Sequence, residues 1–469
     1  MRRMAPPEPR PLRLDASRSD ALQRAAKLIE QAWASFDQAR PEEPPLDERV
    51  RSLLAADLPV EPRGVDEVLD DAARILDESI AQPRPRYFAF IGSSGLEIGV
   101  IGDAIAAAYD VNLAVDARAA TLIERQAVRW AASFIGYPTD AAGAFTSGGT
   151  VSNTTALAAA RERAVPGARR DGLGATRAAV YCSRDAHYSV TRAVEMLGFG
   201  TRNLRAIEID ERRRMRPDAL EEAIRRDRAA GIVPVAVVAT AGTTATGAVD
   251  PIEDVARICG EHGVWLHVDG AYGLPAAAVR PDLFRGIERA DSLSVDAHKW
   301  LYLPKACGIV LVRRAEDLRA AFSHHEGYLH QDDRGEAVDM TLEYSRPFRA
   351  LKFWLAFRAH GAAQFRAAIE RNLAEAALLA RTVREHADLE LLGEPQLSVV
   401  PFRHLPGGGG DADAHNRELA RRLLADGRVY VASATIDGAV YQRPCFVNFR
   451  TSDEDVLALV EVVRDLGNR

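Results

Sequence analysis

The 469-residue sequence predicts an α/β protein: a mostly parallel central sheet with helices on both faces, a helical N-terminal segment and a small α+β C-terminal domain. Three observations lead there. Between Tyr87 and Arg313, short β-branched runs alternate with Ala-rich amphipathic stretches; AAVYC, VPVAVVAT, VWLHV, DSLSV and GIVLV are the clearest strands. The run AFTSGGTVSNTTALAAAR reads as a strand, a tight Gly148-Gly149 turn and a helix starting near Thr150 or Ser152. The length also exceeds the roughly 250–300 residues at which single cores stop growing, so at least two packed domains are expected.

From about Ser17 to Arg40, apolar residues recur at helical spacing until PEEPP breaks the pattern. Residues 1–80 are therefore expected to form a helical segment, with the basic, Pro-rich start as a frayed tail. Residues 81–345 carry the alternating pattern of the large domain. After Ser345 come a long helical stretch, strands near LSVVPFR and CFVNFR, a loop at Gly407 to Gly410 and a final helix, which makes 346–469 the small domain.

Composition excludes several roles. Hydrophobic residues at 47% and charged residues at 27% are ordinary globular values, which argues against a disordered or fibrous chain. A net charge of −7 has the wrong sign for a protein that neutralises nucleic-acid phosphates, so no nucleic-acid partner is expected. Polar, Pro-rich sequence follows the basic start where a secretory signal needs an apolar run, and no stretch approaches the ~18 apolar residues of a membrane span. Cys182, Cys259, Cys307 and Cys445 lie far apart with no C-x-x-C pair, which fits a reducing cytoplasm and indicates neither a zinc site nor a disulfide framework.

The chemistry gathers in three motifs. A helix opening after Gly148-Gly149 presents free N–H groups and a positive dipole end, where a phosphate binds readily. Alone, that pattern equally describes an ordinary capped helix. HVDGAYG and SVDAHKW each follow an apolar strand, so Asp269 and Lys299 are expected at the C-terminal edge of one sheet, where ligands of open α/β sheets bind. A pyridoxal cofactor needs a lysine to carry it as a Schiff base and an acid to keep its ring nitrogen protonated. Lys299 and Asp269 supply those two groups, and pyridoxal 5'-phosphate is the cofactor the three motifs imply together.

With TSGGTVSN, HVDGAY and DAHKW in this order, the sequence resembles the group II pyridoxal-phosphate decarboxylases, the family of aromatic amino-acid, glutamate and histidine decarboxylases. The motifs run from about Pro85 to Arg346. The resemblance implies fold type I, a homodimer with shared active sites, and decarboxylation of an L-amino acid to the amine and carbon dioxide. By position it makes His187 the histidine stacked on the cofactor ring. Gly149, Thr150, Thr244 and His298 become cofactor contacts, and Tyr328 the loop tyrosine that protonates Cα. Asp296 departs from the Asn often found at its position, and an anion beside a phosphate is repelled, which puts a direct phosphate contact there in doubt. The polar stretch RAAFSHHEGYLHQDDRGEA matches the loop that closes over the site. His324, His325 and His330 within it have no acidic partner or i, i+4 spacing, so no metal is expected.

For the substrate, RYFAFIGSSG matches the family's pocket strand and places Phe90, Ile91 and Ser93 against it. Val115, Ala117 and Arg118 stand where many relatives carry a tryptophan and a Ser-Pro pair. Arg118 there fits either a polar or anionic substrate or a salt bridge to a partner subunit. Two other outcomes stay open: decarboxylation-coupled oxidative deamination to an aldehyde, and β-elimination. Tyr328 favours simple decarboxylation, because aldehyde synthases of this type typically lack that tyrosine.

Overall fold

A computed structural model of the chain describes residues 14, 17–38, 46–114, 116–324 and 337–469. Tyr328, His325, His330, Val115, the PEEPP break and the Pro-rich start lie outside the described residues. The chain divides into two compact units, Met1–Ala81 and Gln82–Arg469.

In the first unit, helices span Arg18–Phe36, Glu48–Leu54 and Val65–Asp77. The Asp47 carboxylate accepts from the Arg49 N–H at 2.7 Å and so caps the second helix. Arg24 Nε donates to Asp70 at 2.9 Å, joining the first helix to the third.

The second unit is built on seven strands: β1 Ala142–Thr146, β2 Ala178–Ser183, β3 Leu204–Ile207, β4 Val233–Thr240, β5 Trp265–Asp269, β6 Ser292–Asp296 and β7 Gly308–Val312. They lie in the order β1-β7-β6-β5-β4-β2-β3. All pairings are parallel except those of β7, which runs antiparallel to both β6 and β1. Side chains alternate between two cores, one on each face. Ile309 and Leu311 of β7 enter the first, and Val310 and Val312 enter the second. Burial on both faces explains why these strands read as continuous apolar runs.

Because β1, β4, β5 and β6 point the same way, Thr146, Thr240, Asp269 and Asp296 end at one edge of the sheet. A buried ion pair fixes β1 there. Arg346 Nη1 and Nη2 donate to the two Glu124 oxygens at 2.8 and 2.9 Å, and Glu124 Oε1 accepts the Phe145 N–H at 3.1 Å.

The C-terminal part carries β8 Leu389–Leu391, β9 Phe402–His404, β10 Ser433–Ile436 and β11 Ala439–Gln442, an antiparallel sheet in the order β10-β11-β9-β8. Leu379, Val383, Phe402, Leu423, Leu459 and Val463 join it to its helices. Two details differ from the sequence expectation. CFVNFR is buried but forms no strand; Pro444 lacks an N–H, and the segment is held by single bonds such as Cys445 N–H to Phe88 O at 3.0 Å. The hairpin forms instead at TIDGAV, where Asp437 (φ 48°) and Gly438 (φ 88°) make the left-handed two-residue turn that joins β10 to β11. The long helix, Arg349–Arg384, is interrupted at Gly361, whose φ of 71° and ψ of 157° only glycine adopts freely.

Candidate active site

At the sheet edge a cavity of about 320 Å³ collects residues from β4, β5 and β6 and from the segments that follow β1, β2, β4, β5 and β6. It is lined by Gly149, Thr150, His187, Thr244, Asp269, His298 and Lys299 of the sequence-predicted set, and by Asn153, Ser189, Tyr272 and Asp296. Phe90, Ile91, Ser93 and Arg118 are not among its lining residues. Phe90 is exposed with a left-handed φ of 55°, and Ile91 is half-buried. Ser93 spends its hydroxyl on the Leu303 carbonyl at 2.7 Å, bracing the segment that follows Lys299. Arg118 is exposed, with its N–H bonded to Asp116 at 2.9 Å.

The floor is the helix Gly149–Ala164, which begins where β1 ends. A side chain at Gly149 is ruled out by packing, since its Cβ would stand 2.9 Å from Ala271 Cβ and 3.2 Å from Asp296 Oδ2. That close approach leaves the first N–H groups of a 16-residue helix facing the cavity without a side chain in the way.

Asp269 closes β5 and is buried. Its Oδ1 accepts from Ser294 Oγ at 3.1 Å and from the Ala271 N–H at 3.2 Å, and its Oδ2 accepts from Asn153 Nδ2 at 2.9 Å. A carboxylate accepts about four hydrogen bonds, so one position on Oδ2 is left. Lys299 follows β6, half-buried, with Nζ 3.2 Å from Asp296 Oδ2. The other Asp296 oxygen is buried with no hydrogen-bond partner among the described residues. Asp296 thus serves as counter-ion to the lysine in this structure.

His187 caps the helix Tyr188–Met196: its Nδ1 accepts the Ser189 N–H at 3.3 Å and lies 2.8 Å from Ser189 Oγ. Burial lowers its pKa, with Asp269 opposing and Lys299 adding to the shift. His298 Nδ1 accepts the Cys307 N–H at 3.2 Å, and burial lowers its pKa too, against the pull of Asp296. In both, burial favours the uncharged imidazole.

A cavity joining an open helix N-terminus, a buried carboxylate with one acceptor position free, and a lysine amine accommodates a phosphorylated cofactor with a protonated ring nitrogen and an aldehyde. Residues 46–405 match the family described as the pyridoxal-dependent decarboxylase conserved domain. The chain belongs to that family. An aromatic-L-amino-acid decarboxylase of Bacillus atrophaeus is 33% identical over 395 residues, which cover 82% of this chain and 81% of that one. An L-2,4-diaminobutyrate decarboxylase of Rhizobium meliloti is 35% identical over 73% of this chain and 70% of its own. The crystal structure of Oryza sativa TDC with pyridoxal phosphate and tryptamine superposes with a TM-score of 0.91 at 27% identity, covering 98% of this chain and 99% of that one. The protein is accordingly a group II pyridoxal-phosphate decarboxylase of fold type I acting on an amino acid, with pyridoxal 5'-phosphate as cofactor.

The sequence reading passed over three residues around this site. Asn153 sits inside the TSGGTVSN motif, where only its place on the first helical turn marked it. Tyr272 stacks on Trp300 at 5.1 Å and bonds Ser398 Oγ at 2.6 Å, tying the segment after β5 to the C-terminal part. Arg443 is buried and donates to the Thr244 and Phe90 carbonyls at 3.1 and 3.4 Å; nothing in its local sequence signals this role.

Proposed function

We propose that Lys299 is the covalent attachment point of the cofactor, that Asp269 holds its ring nitrogen and that His187 stacks on its ring. The observation that carries this reading is the single acceptor position left on Asp269 Oδ2 in the cavity that Lys299 enters. Gly149 and Thr150 open the helix that receives the phosphate, with Thr244 and His298 on its flanks. When bound, pyridoxal phosphate draws off the electron pair released as carbon dioxide leaves. Asp269 would hold a proton on the ring nitrogen, Lys299 would supply the amine that holds the cofactor, and burial around His187 and Asp269 would exclude water. All the cavity residues fall within 81–345, which supports that stretch as the cofactor domain, separate in sequence from the proposed segments 1–80 and 346–469.

The amine is the product we infer, with Tyr328 as the acid that protonates substrate Cα after decarboxylation. Phe90, Ile91, Ser93 and Arg118 remain the proposed substrate contacts, supplied around the mouth of the cavity or from a partner subunit. The relatives' names include aromatic and diamino acids, so an assay panel should span aromatic, basic and acidic amino acids and follow carbon dioxide, amine, aldehyde, ammonia and peroxide together. Wild-type protein should release amine with little peroxide. Tyr328→Phe keeps the ring and removes only the donor, so amine should collapse while carbon dioxide release persists and aldehyde and peroxide appear in air. Oxygen uptake by the wild type in step with carbon dioxide release would replace the amine reading with the oxidative one.

A homodimer with shared sites is what the family resemblance implies, and the exposed side chains of Phe90, Tyr109 and Leu122 are the apolar groups such a partner would be expected to cover. Mixing Lys299→Ala protein with Tyr328→Phe protein, neither of which forms amine alone, should restore amine formation, because one site of each heterodimer then combines an intact lysine with an intact tyrosine. No recovery after confirmed subunit exchange would count against a shared site. The four cysteines are free and buried, which suits the cytoplasm, and no described helix is long and apolar enough to cross a membrane.

A further inference from the structure

We propose that a directional hydrogen-bond chain, Trp265 to Ser292 to His267 to Asn153, sets the proton positions at Asp269 and His187, making Asn153 and His267 positioning residues of the active site. The chain starts at a group that can only donate. Trp265 Nε1–H donates to Ser292 Oγ at 2.8 Å. Ser292 is fully buried, and its own proton has His267 Nδ1, at 2.8 Å, as its recorded acceptor. Were Nδ1 protonated, the Ser292 hydroxyl would accept twice and leave its proton unpaired in the core, a costly arrangement. His267 Nδ1 therefore accepts, and the ring carries its proton on Nε2.

His267 Nε2–H donates to Asn153 Oδ1 at 2.9 Å. That orientation turns Asn153 Nδ2 toward Asp269 Oδ2 at 2.9 Å and Ser189 Oγ at 3.0 Å, so both amide protons are used. The same orientation follows from the other end. An ionised Asp269 is acceptor-only and requires the Nδ2 side of Asn153, which leaves Oδ1 for His267 and requires a proton on Nε2. Beyond Asn153 the chain continues: Ser189 Oγ accepts from Nδ2 and donates to His187 Nδ1, leaving the His187 proton on Nε2. Burial, only partly opposed by Asp269 and by hydrogen bonding to the Ser292 backbone, lowers the His267 pKa to about 4, consistent with one proton on the ring. The charged and titratable groups facing this chain are Asp269, His187, Lys299, Asp296 and Arg192.

Asn153 therefore does what a carboxylate or an aliphatic side chain cannot. It passes the polarity of a remote indole to the carboxylate that meets the cofactor, and keeps that carboxylate an ionised acceptor. Two measurements test this. In cofactor-free, full-length protein labelled with 15N-histidine, the nitrogen shifts of His267, assigned by its loss in His267→Gln, should report a neutral ring protonated on Nε2 at neutral pH. A cationic ring or an Nδ1–H tautomer in the wild-type protein would overturn the proposal. The second measurement is pyridoxal-phosphate affinity against pH. Asn153→Leu should bind more weakly than wild type at every pH. Asn153→Asp should approach wild type while its carboxyl is protonated and still donates to Asp269. It should then lose affinity relative to wild type by about tenfold or more between about pH 6 and pH 9, as two facing carboxylates are forced to ionise. A constant ratio to wild type across that range would mean that Asn153 only fills space, and the proposal would fail.

Discussion

Lys299→Ala protein should still bind pyridoxal phosphate but complete no turnover. Binding should survive because, in the proposed arrangement, much of it comes from elsewhere: the helix N-terminus after the Gly148-Gly149 turn would take the phosphate, and Asp269 the ring nitrogen. What is lost is the amine, which sits 3.2 Å from Asp296 Oδ2 and is the nucleophile that this side of the cavity offers. Removing it should cost at least about 4 kcal/mol of transition-state stabilisation, a fall of roughly a thousandfold in kcat. Borohydride reduction followed by peptide mass analysis should attach cofactor mass to the Lys299 peptide of the wild type and to no peptide of the variant. Near wild-type turnover by the alanine protein would refute the assignment.

The sheet was legible because each central strand is buried on both faces. Runs such as VPVAVVAT and GIVLV therefore carry the signal of a sheet covered on both faces without help from distant residues, although GIVLV runs antiparallel to its neighbours. The turn at Gly148-Gly149 and the ends of β5 and β6 were legible for a related reason: function lies where apolar runs stop, and the residues just past those ends are polar. The misses have physical causes as well. CFVNFR has the composition of a strand, yet its bonds go singly to Phe88 and Ser398 on other segments, which its own sequence does not record. The Asp437-Gly438 turn does carry a local signal, and was passed over. Arg443 acts through carbonyls at Phe90 and Thr244, far off in sequence, so only the folded chain reveals it. The proposed substrate contacts Phe90, Ile91, Ser93 and Arg118 rest on resemblance rather than periodicity, and they are not among the residues that line the cavity.

The departure at Asp296 gains meaning from its neighbours. A carboxylate within 3.2 Å of Lys299 Nζ and 3.7 Å of His298 Nε2 faces the lysine side of the cavity and leaves its second oxygen without a hydrogen-bond partner among the described residues. Its sequence position alone gave only the repulsion from a phosphate. The structure adds the cation that offsets it.

Asp269→Asn should lose at least about a hundredfold in kcat, or ~2.7 kcal/mol, while the chain stays folded. Charge is the first reason. An amide cannot hold a proton on the cofactor's ring nitrogen, so the electron pair left by departing carbon dioxide has a weaker sink. Hydrogen-bond polarity is the second. Asp269 accepts from Asn153 Nδ2 on one oxygen and from Ser294 Oγ and the Ala271 N–H on the other. An asparagine at 269 has one acceptor atom for these two sides. With its amine toward Asn153, two N–H groups face each other, and turning Asn153 over sets its amine against the His267 Nε2 proton. With its amine toward residue 271, it meets the Ala271 N–H instead. Each arrangement leaves a buried donor unmatched, so affinity for pyridoxal phosphate should fall together with kcat. Far-UV circular dichroism and the thermal midpoint should check that the fold persists, and a cofactor titration should read the affinity. Retention of more than about a tenth of wild-type kcat would leave less than ~1.4 kcal/mol to the carboxylate and would remove Asp269 from the role assigned to it.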